Sequence, residues 1–150
     1  METYIGTKII EAAPAVKKGG KVYDLTWPIP RSMEPEEPGY RVRYPDGYES
    51  WSPKDVFEEA YRPTDAMSFG LAIEAAKKGK RIARKGWNGK GQYVELATAI
   101  SYASPTGAVV NAEHDAIGNQ ALAFVGTSGV QMGWLASQAD MLADDWEIVE

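Results

Sequence analysis

Along the first third of the chain, apolar positions recur at the short period of strands, interrupted by turn residues, before helical spacing sets in. Tyr4 to Glu11 predicts a strand and Lys17-Lys18-Gly19-Gly20 a turn. Arg31-Ser-Met-Glu-Pro-Glu-Glu-Pro38 is an acidic connector whose prolines cannot donate to a ladder or helix. Tyr40-Arg-Val-Arg-Tyr44, Pro45-Asp46-Gly47 and Tyr48-Glu-Ser-Trp51 predict a β-hairpin, because Asp-Gly favours a tight turn and alternating aromatics flank it. Ser52-Pro53-Lys54-Asp55 predicts a helix start, with Ser52 as cap, Pro53 at the first helical position and Asp55 completing a capping box. Val56, Phe57 and Ala60 form its apolar side, and Arg62-Pro63 ends it.

A second unit begins near Asp65. Ser68 caps a helix in which Phe69, Ala72, Ile73 and Ala76 recur at helical spacing, and Gly79 stops it behind Lys77 and Lys78. Arg81–Arg84 and Gln92–Ala97 predict strands joined through Trp87-Asn-Gly-Lys-Gly91. Within 101–120, Ser104–Gly107 is a turn and Val109-Val110 a strand end. Ala121–Val125 predicts a strand and Gly126-Thr-Ser-Gly129 a turn. Ser137 and Asp140 form a second capping box before a very short helix, and Asp145–Val149 alternates as a closing strand. The expected class is α+β, short helices packed on antiparallel sheet with a small β-rich N-terminal unit. The chain divides near residues 62–67 into residues 1–64 and 65–150.

Composition narrows the functional classes. An apolar fraction of 44% with five Trp and eight Tyr is that of a folded protein. The chain has no cysteine, which removes disulfides, thiolate metal ligation and cysteine nucleophiles. No apolar run approaches a membrane span, and Met-Glu-Thr-Tyr-Ile-Gly lacks the features of a secretory leader, so a cytoplasmic location is expected. Charge is distributed unevenly. From Ala75 to Val94 there are seven basic residues and no acid, while the rest of the chain holds nine basic and 21 acidic residues. A net charge of −5 argues against an extended DNA or RNA footprint.

Catalytic and metal chemistry have little to draw on. His114 is the only histidine and has no nucleophile elbow or second base. Glu113, His114 and Asp115 are consecutive, so they cannot all face one ion from a strand. Gly86-Trp-Asn-Gly89-Lys-Gly91 follows a strand without opening a helix, and no Gly-Lys-Ser/Thr completes a phosphate loop. The basic window has two readings, a solvated helix end with an exposed strand, or half of a nucleotide pocket. For the second, Trp87 offers a stacking face, Asn88 an amide for a base edge, and Arg84 a guanidinium for phosphate. Trp134 and Trp146 suit a core one at a time; with Gln138 they could also form a second wall.

Two segments carry a family likeness. Met67-Ser-Phe-Gly-Leu-Ala-Ile-Glu-Ala, Gly79-Lys and Ala83-Arg-Lys-Gly-Trp-Asn-Gly-Lys90, together with Trp134-Leu-Ala-Ser-Gln-Ala-Asp-Met-Leu-Ala-Asp-Asp-Trp146, resemble the second family of Thoeris anti-defence proteins of phages. The likeness spans about residues 67–150. It implies a non-enzymatic sponge that binds cyclic ADP-ribose isomers made by bacterial TIR enzymes without cleaving them. It further implies a homotetramer with pockets between subunits, in the cytoplasm of the infected bacterium. Phe69, Arg84, Trp87, Asn88, Ser137, Gln138 and Asp140 match the family's motif positions, and Gly89, Lys90 and Trp134 complete the expected ligand-binding set. The roles inferred are stacking for Trp87, phosphate contact for Arg84, and base or ribose hydrogen bonds for Asn88, Gln138 and Asp140. No catalytic residue, cofactor, metal, nucleic-acid polymer or membrane is expected. Residues 1–64 are extra to the minimal pattern, and 99–130 is longer than a compact version needs, which leaves a cyclic dinucleotide open as ligand. A different class of function, a phage structural or protein-interaction module led by the Trp- and Tyr-rich N-terminal unit, is the alternative.

Overall fold

The computed structural model describes residues 1–87, 91–115 and 118–150. Two compact units divide it, Met1–Arg62 and Pro63–Glu150. Among the described residues the architecture is α+β and mostly β, with three short helices among antiparallel sheets.

The first unit holds β1 (Glu11–Lys18), β2 (Lys21–Asp24), β3 (Glu37–Arg43), β4 (Glu49–Pro53) and α1 (Lys54–Ala60), with sheet order β2-β1-β3-β4. Gly19 and Gly20 make the β1–β2 turn with φ of 57° and 76°, the left-handed pair that a tight hairpin requires. The Asp46-Gly47 hairpin forms as expected: Gly47 adopts φ 90°, and Tyr44 N–H donates to the Tyr48 carbonyl at 2.9 Å.

Two expectations fail in this unit. Tyr4–Ile10 is not a strand, because β1 starts at Glu11, opposite Arg43. β3 ends there and turns back through Pro45–Gly47, so earlier residues run past their neighbour. Ser52 does not cap α1. It pairs with Tyr40 inside β4, and the cap position falls on Pro53, which has no side-chain hydrogen bond to give. The sheet claimed the serine first.

The second unit contains α2 (Phe69–Lys77), β5 (Arg81–Arg84), β6 (Tyr93–Ala97), β7 (Tyr102–Ala103), β8 (Val109–Val110), β9 (Ala121–Gly126), β10 (Gly129–Met132), α3 (Gln138–Met141) and β11 (Trp146–Val149). Five strands form one antiparallel sheet in the order β10-β9-β6-β5-β11, while β7 and β8 pair separately. Ser68 Oγ accepts from Leu71 N–H at 3.3 Å at the start of α2. At its other end Gly79, at φ 88°, donates to the Ala76 carbonyl, and Lys80 N–H donates to that of Ala75. Those two bonds close the helix by the left-handed glycine stop.

α2 buries Ala72, Ala75 and Ala76 against Ile82, Val94, Met67 and a fully buried Trp146. Small residues on the helix leave room for the indole. A reciprocal backbone pair, Met67 N–H to Trp146 O at 2.8 Å and Trp146 N–H to Met67 O at 3.1 Å, ties the entry of the unit to its last strand. Among the described residues no helix is long and apolar enough to cross a membrane.

Candidate functional site

The pairing of β11 with β5 assembles the site. Trp146 stands opposite Arg84, and Ile148 opposite Ile82. The period of two puts Ile82 and Arg84 on one face of β5, where Ile82 is buried in the core beneath α2. Arg84 lies at the end of that row, and the segment leading into β11 brings two carboxylates to it. Its Nε donates to Asp145 Oδ1 at 2.9 Å and its Nη1 to Asp140 Oδ1 at 3.0 Å. The Arg84 side chain is 25% exposed, so this is a partly desolvated trio with a net charge of −1.

Asp140 serves two structures at once. Its Oδ2 accepts from Ser137 N–H at 3.2 Å, and Ser137 Oγ accepts from Asp140 N–H at 3.1 Å, which is the reciprocal capping box expected for α3. Burial pushes the Asp140 carboxyl up, but hydrogen bonds from Arg84 and Ser137 outweigh it and hold the group below its ordinary value of 3.8. Arg84 is raised, by its hydrogen bond to Asp145 first and to Asp140 second. The Asp140 carbonyl accepts from Trp146 Nε1 at 2.8 Å, so α3 is bolted both to the guanidinium and to the core indole.

Aromatic rings surround that bolt. Trp87 meets Phe124 at 5.3 Å between centroids, Trp146 at 5.4 Å and Trp134 at 6.0 Å. Phe124 and Trp134 stack at 6.3 Å, and Phe69 tilts against Trp146 at 5.3 Å. Trp87, Trp134, Phe69 and Phe124 are all half-buried, whereas Ser137 and Gln138 are exposed. The structure thus brings Phe69, Arg84, Trp87, Trp134, Ser137 and Asp140 into one connected cluster, with Gln138 on its rim. Asn88, Gly89 and Lys90 lie outside the described residues.

The inferred contact of Arg84 with phosphate would be made beside two carboxylates. Its Nε and one Nη1 donor are taken by the two carboxylates, so an incoming phosphate would meet the remaining guanidinium donors against the trio's negative charge. The wider basic window is also less positive in space than in sequence. Lys77 pairs with Glu74 at 3.5 Å, and Arg81 pairs with Glu95 at 3.4 Å while lying over the Tyr93 ring. Lys78, Lys80 and Lys85 are exposed and have no carboxylate partner among the described residues.

Two members escaped the sequence reading. From sequence Asp145 reads only as the start of the closing strand, and Phe124 only as part of an apolar strand. An expected β5–β11 pairing would have exposed Asp145, since it sets the acid beside Arg84. His114 sits apart on an exposed turn with φ 58°, its carbonyl accepting from Asn119 Nδ2. Among the described residues no group of three or more His, Cys, Asp or Glu is arranged to hold a metal. The β7–β8 hairpin leaves the sheet where Ala97 faces Ala121, the opposite end of β6 from the connection that follows Trp87. Two shallow surface hollows, of about 570 and 100 Å³, are lined by residues of the first unit alone.

Comparison with known proteins bears on the second unit. Residues 67–149 match the Thoeris anti-defense 2-like domain. A relative named Thoeris anti-defense 2, from Bacillus phage SP01, is 38% identical over 88 residues, covering 55% of this chain and 94% of the relative.

Proposed function

Because the chain belongs to the Thoeris anti-defense 2-like family, we propose that it is a phage anti-defence protein that captures a cyclic nucleotide immune signal and performs no chemistry on it. The ligand class is a cyclic ADP-ribose isomer or a cyclic dinucleotide. The observation that carries this reading is the half-buried Trp87–Trp134 cluster joined to the Ser137–Asp140 cap and edged by Gln138. Indole faces suit a purine, and hydroxyl, amide and carboxylate groups suit base edges and ribose hydroxyls. In this arrangement Arg84 fixes α3, and phosphate contact passes to unpaired lysines of the basic window.

A second copy completes the pocket. Apolar side chains stand exposed next to the cluster, with Leu135 88% exposed just before α3 and Leu142 79% exposed just after it. Val130 is 62% exposed on β10, an edge strand of the sheet. An apolar rim around a polar half-site is what a homo-oligomeric interface requires. A surrounded, preformed pocket also reduces the ordering cost of binding.

The test is a thermal-shift series with cyclic ADP-ribose isomers and cyclic dinucleotides, followed by heating the complex and identifying the released nucleotide. A raised melting temperature with intact ligand recovered is expected. A degraded product would replace capture with catalysis, and no shift with any cyclic nucleotide would favour the interaction-module alternative.

A further inference from the structure

The strand-forming run Thr3-Tyr4-Ile5-Gly6-Thr7-Lys8-Ile9-Ile10 makes no backbone hydrogen bond within one chain among the described residues. Tyr4 is 85% and Ile5 95% exposed, and no residue from Met1 to Ile10 has a positive φ that would forbid extended backbone. This run leads directly into a half-open edge. β1 pairs with β3 from Glu11 onward, but β2 pairs with it only from Ala15. The Pro14 carbonyl accepts from Leu25 N–H at 3.3 Å on the β2 side. In an extended strand alternate residues turn the same way, so Ala12, Ile10 and Lys8 also direct their N–H and C=O groups to the unoccupied side. Exposed edges of this kind act as pairing templates.

We propose that Met1–Ala13 pairs antiparallel with the same segment of a second copy, joining two β2-β1-β3-β4 sheets into one. The run complements itself. With the two-fold axis at Thr7, Thr7 faces Thr7, Ile9 faces Ile5, Ile10 faces Tyr4 and Glu11 faces Thr3, while Lys8 faces Gly6. These include the aromatic, β-branched and threonine pairs that stabilise sheets, and no like charges stand opposite. Centring on Lys8 instead would set lysine against lysine. The ladder ends at Ala13, directly before Pro14, whose nitrogen has no proton to give. This interface involves only the first unit and is independent of nucleotide capture.

The absence of native cysteine makes the test clean. Thr7 facing its own copy is a non-hydrogen-bonded pair, with Cα atoms about 4.5 Å apart, within disulfide reach. Thr7→Cys in the whole chain should form a covalent dimer on mild oxidation, far in excess of Met33→Cys, a control at another exposed position, in the connector before β3. Adding Lys8→Pro to Thr7→Cys removes a ladder donor outside any element of the single chain and should return cross-linking to the control level. Equal cross-linking of Thr7→Cys and Met33→Cys would overturn the proposal. So would cross-linking that persists in the Lys8→Pro double variant, since chance collision needs no ladder.

Discussion

Gln138 is the residue at which ligand binding can be separated from folding. It is exposed at the first position of α3, while the cap there is carried by Ser137 and Asp140. Gln138→Ala should leave the melting temperature of the free protein within the small range of surface substitutions. If its amide hydrogen-bonds the nucleotide, affinity should fall about tenfold, equivalent to roughly 1.4 kcal/mol. Isothermal calorimetry beside a thermal melt reads both quantities. Asp140 behaves in the opposite way, since it holds Arg84 and caps α3. Its folded-state pKa is depressed, so its contribution to stability is complete above the unfolded value near 3.8 and is lost as pH falls through the lower folded value. Asp140→Asn should therefore melt below the parent at neutral pH, and the gap should narrow towards about pH 3. A gap of constant size across that range would show that the charge on Asp140 contributes nothing.

At the scale of elements, α2 is held by signals written next to one another in the sequence. The left-handed φ of Gly79 closes the helix, and a Cβ added there would meet nothing within 4 Å. Gly79→Ala should therefore cost only backbone strain, about 1 kcal/mol, and Gly79→Asn less, because asparagine tolerates this conformation better. Denaturant midpoints of the two variants test that order. The same locality explains what was legible beforehand. Ser68, Gly79, the Ser137–Asp140 box and the Asp46-Gly47 turn each act over a few residues, so the sequence states them directly. Tyr4–Ile10 and Ser52 misled for a long-range reason, since the end of β3 and the reach of β4 decided whether a strand could pair or a serine was free to cap. The candidate site shows the same split. Its residues were visible as two motifs, but the neutralisation of Arg84 by Asp140 and Asp145 depends on β5–β11 pairing across more than fifty residues. The positive window of the sequence is cancelled only in part by the fold, because Lys77, Arg81 and Arg84 are paired while Lys78, Lys80 and Lys85 have no carboxylate partner among the described residues.

At the scale of the molecule, the family match lies within the second unit, at residues 67–149, and the relative from Bacillus phage SP01 aligns over nearly all of its length with little more than half of this chain. The unit Pro63–Glu150 has its own core, centred on Trp146, and its own entry tie between Met67 and Trp146. With 88 residues it is large enough to fold without disulfides. Residues 63–150 expressed alone should therefore melt cooperatively and bind the same cyclic nucleotide as the full chain. At a hundredfold excess of ligand over its dissociation constant, binding should add about 2.7 kcal/mol. For a domain of this size that corresponds to a rise of roughly 10–20 °C in melting temperature. A shift equal to that of the full chain would confine capture to the second unit and leave the first free for strand pairing between copies. A folded 63–150 fragment that shows no shift where the full chain shows one would overturn the confinement of capture to the second unit.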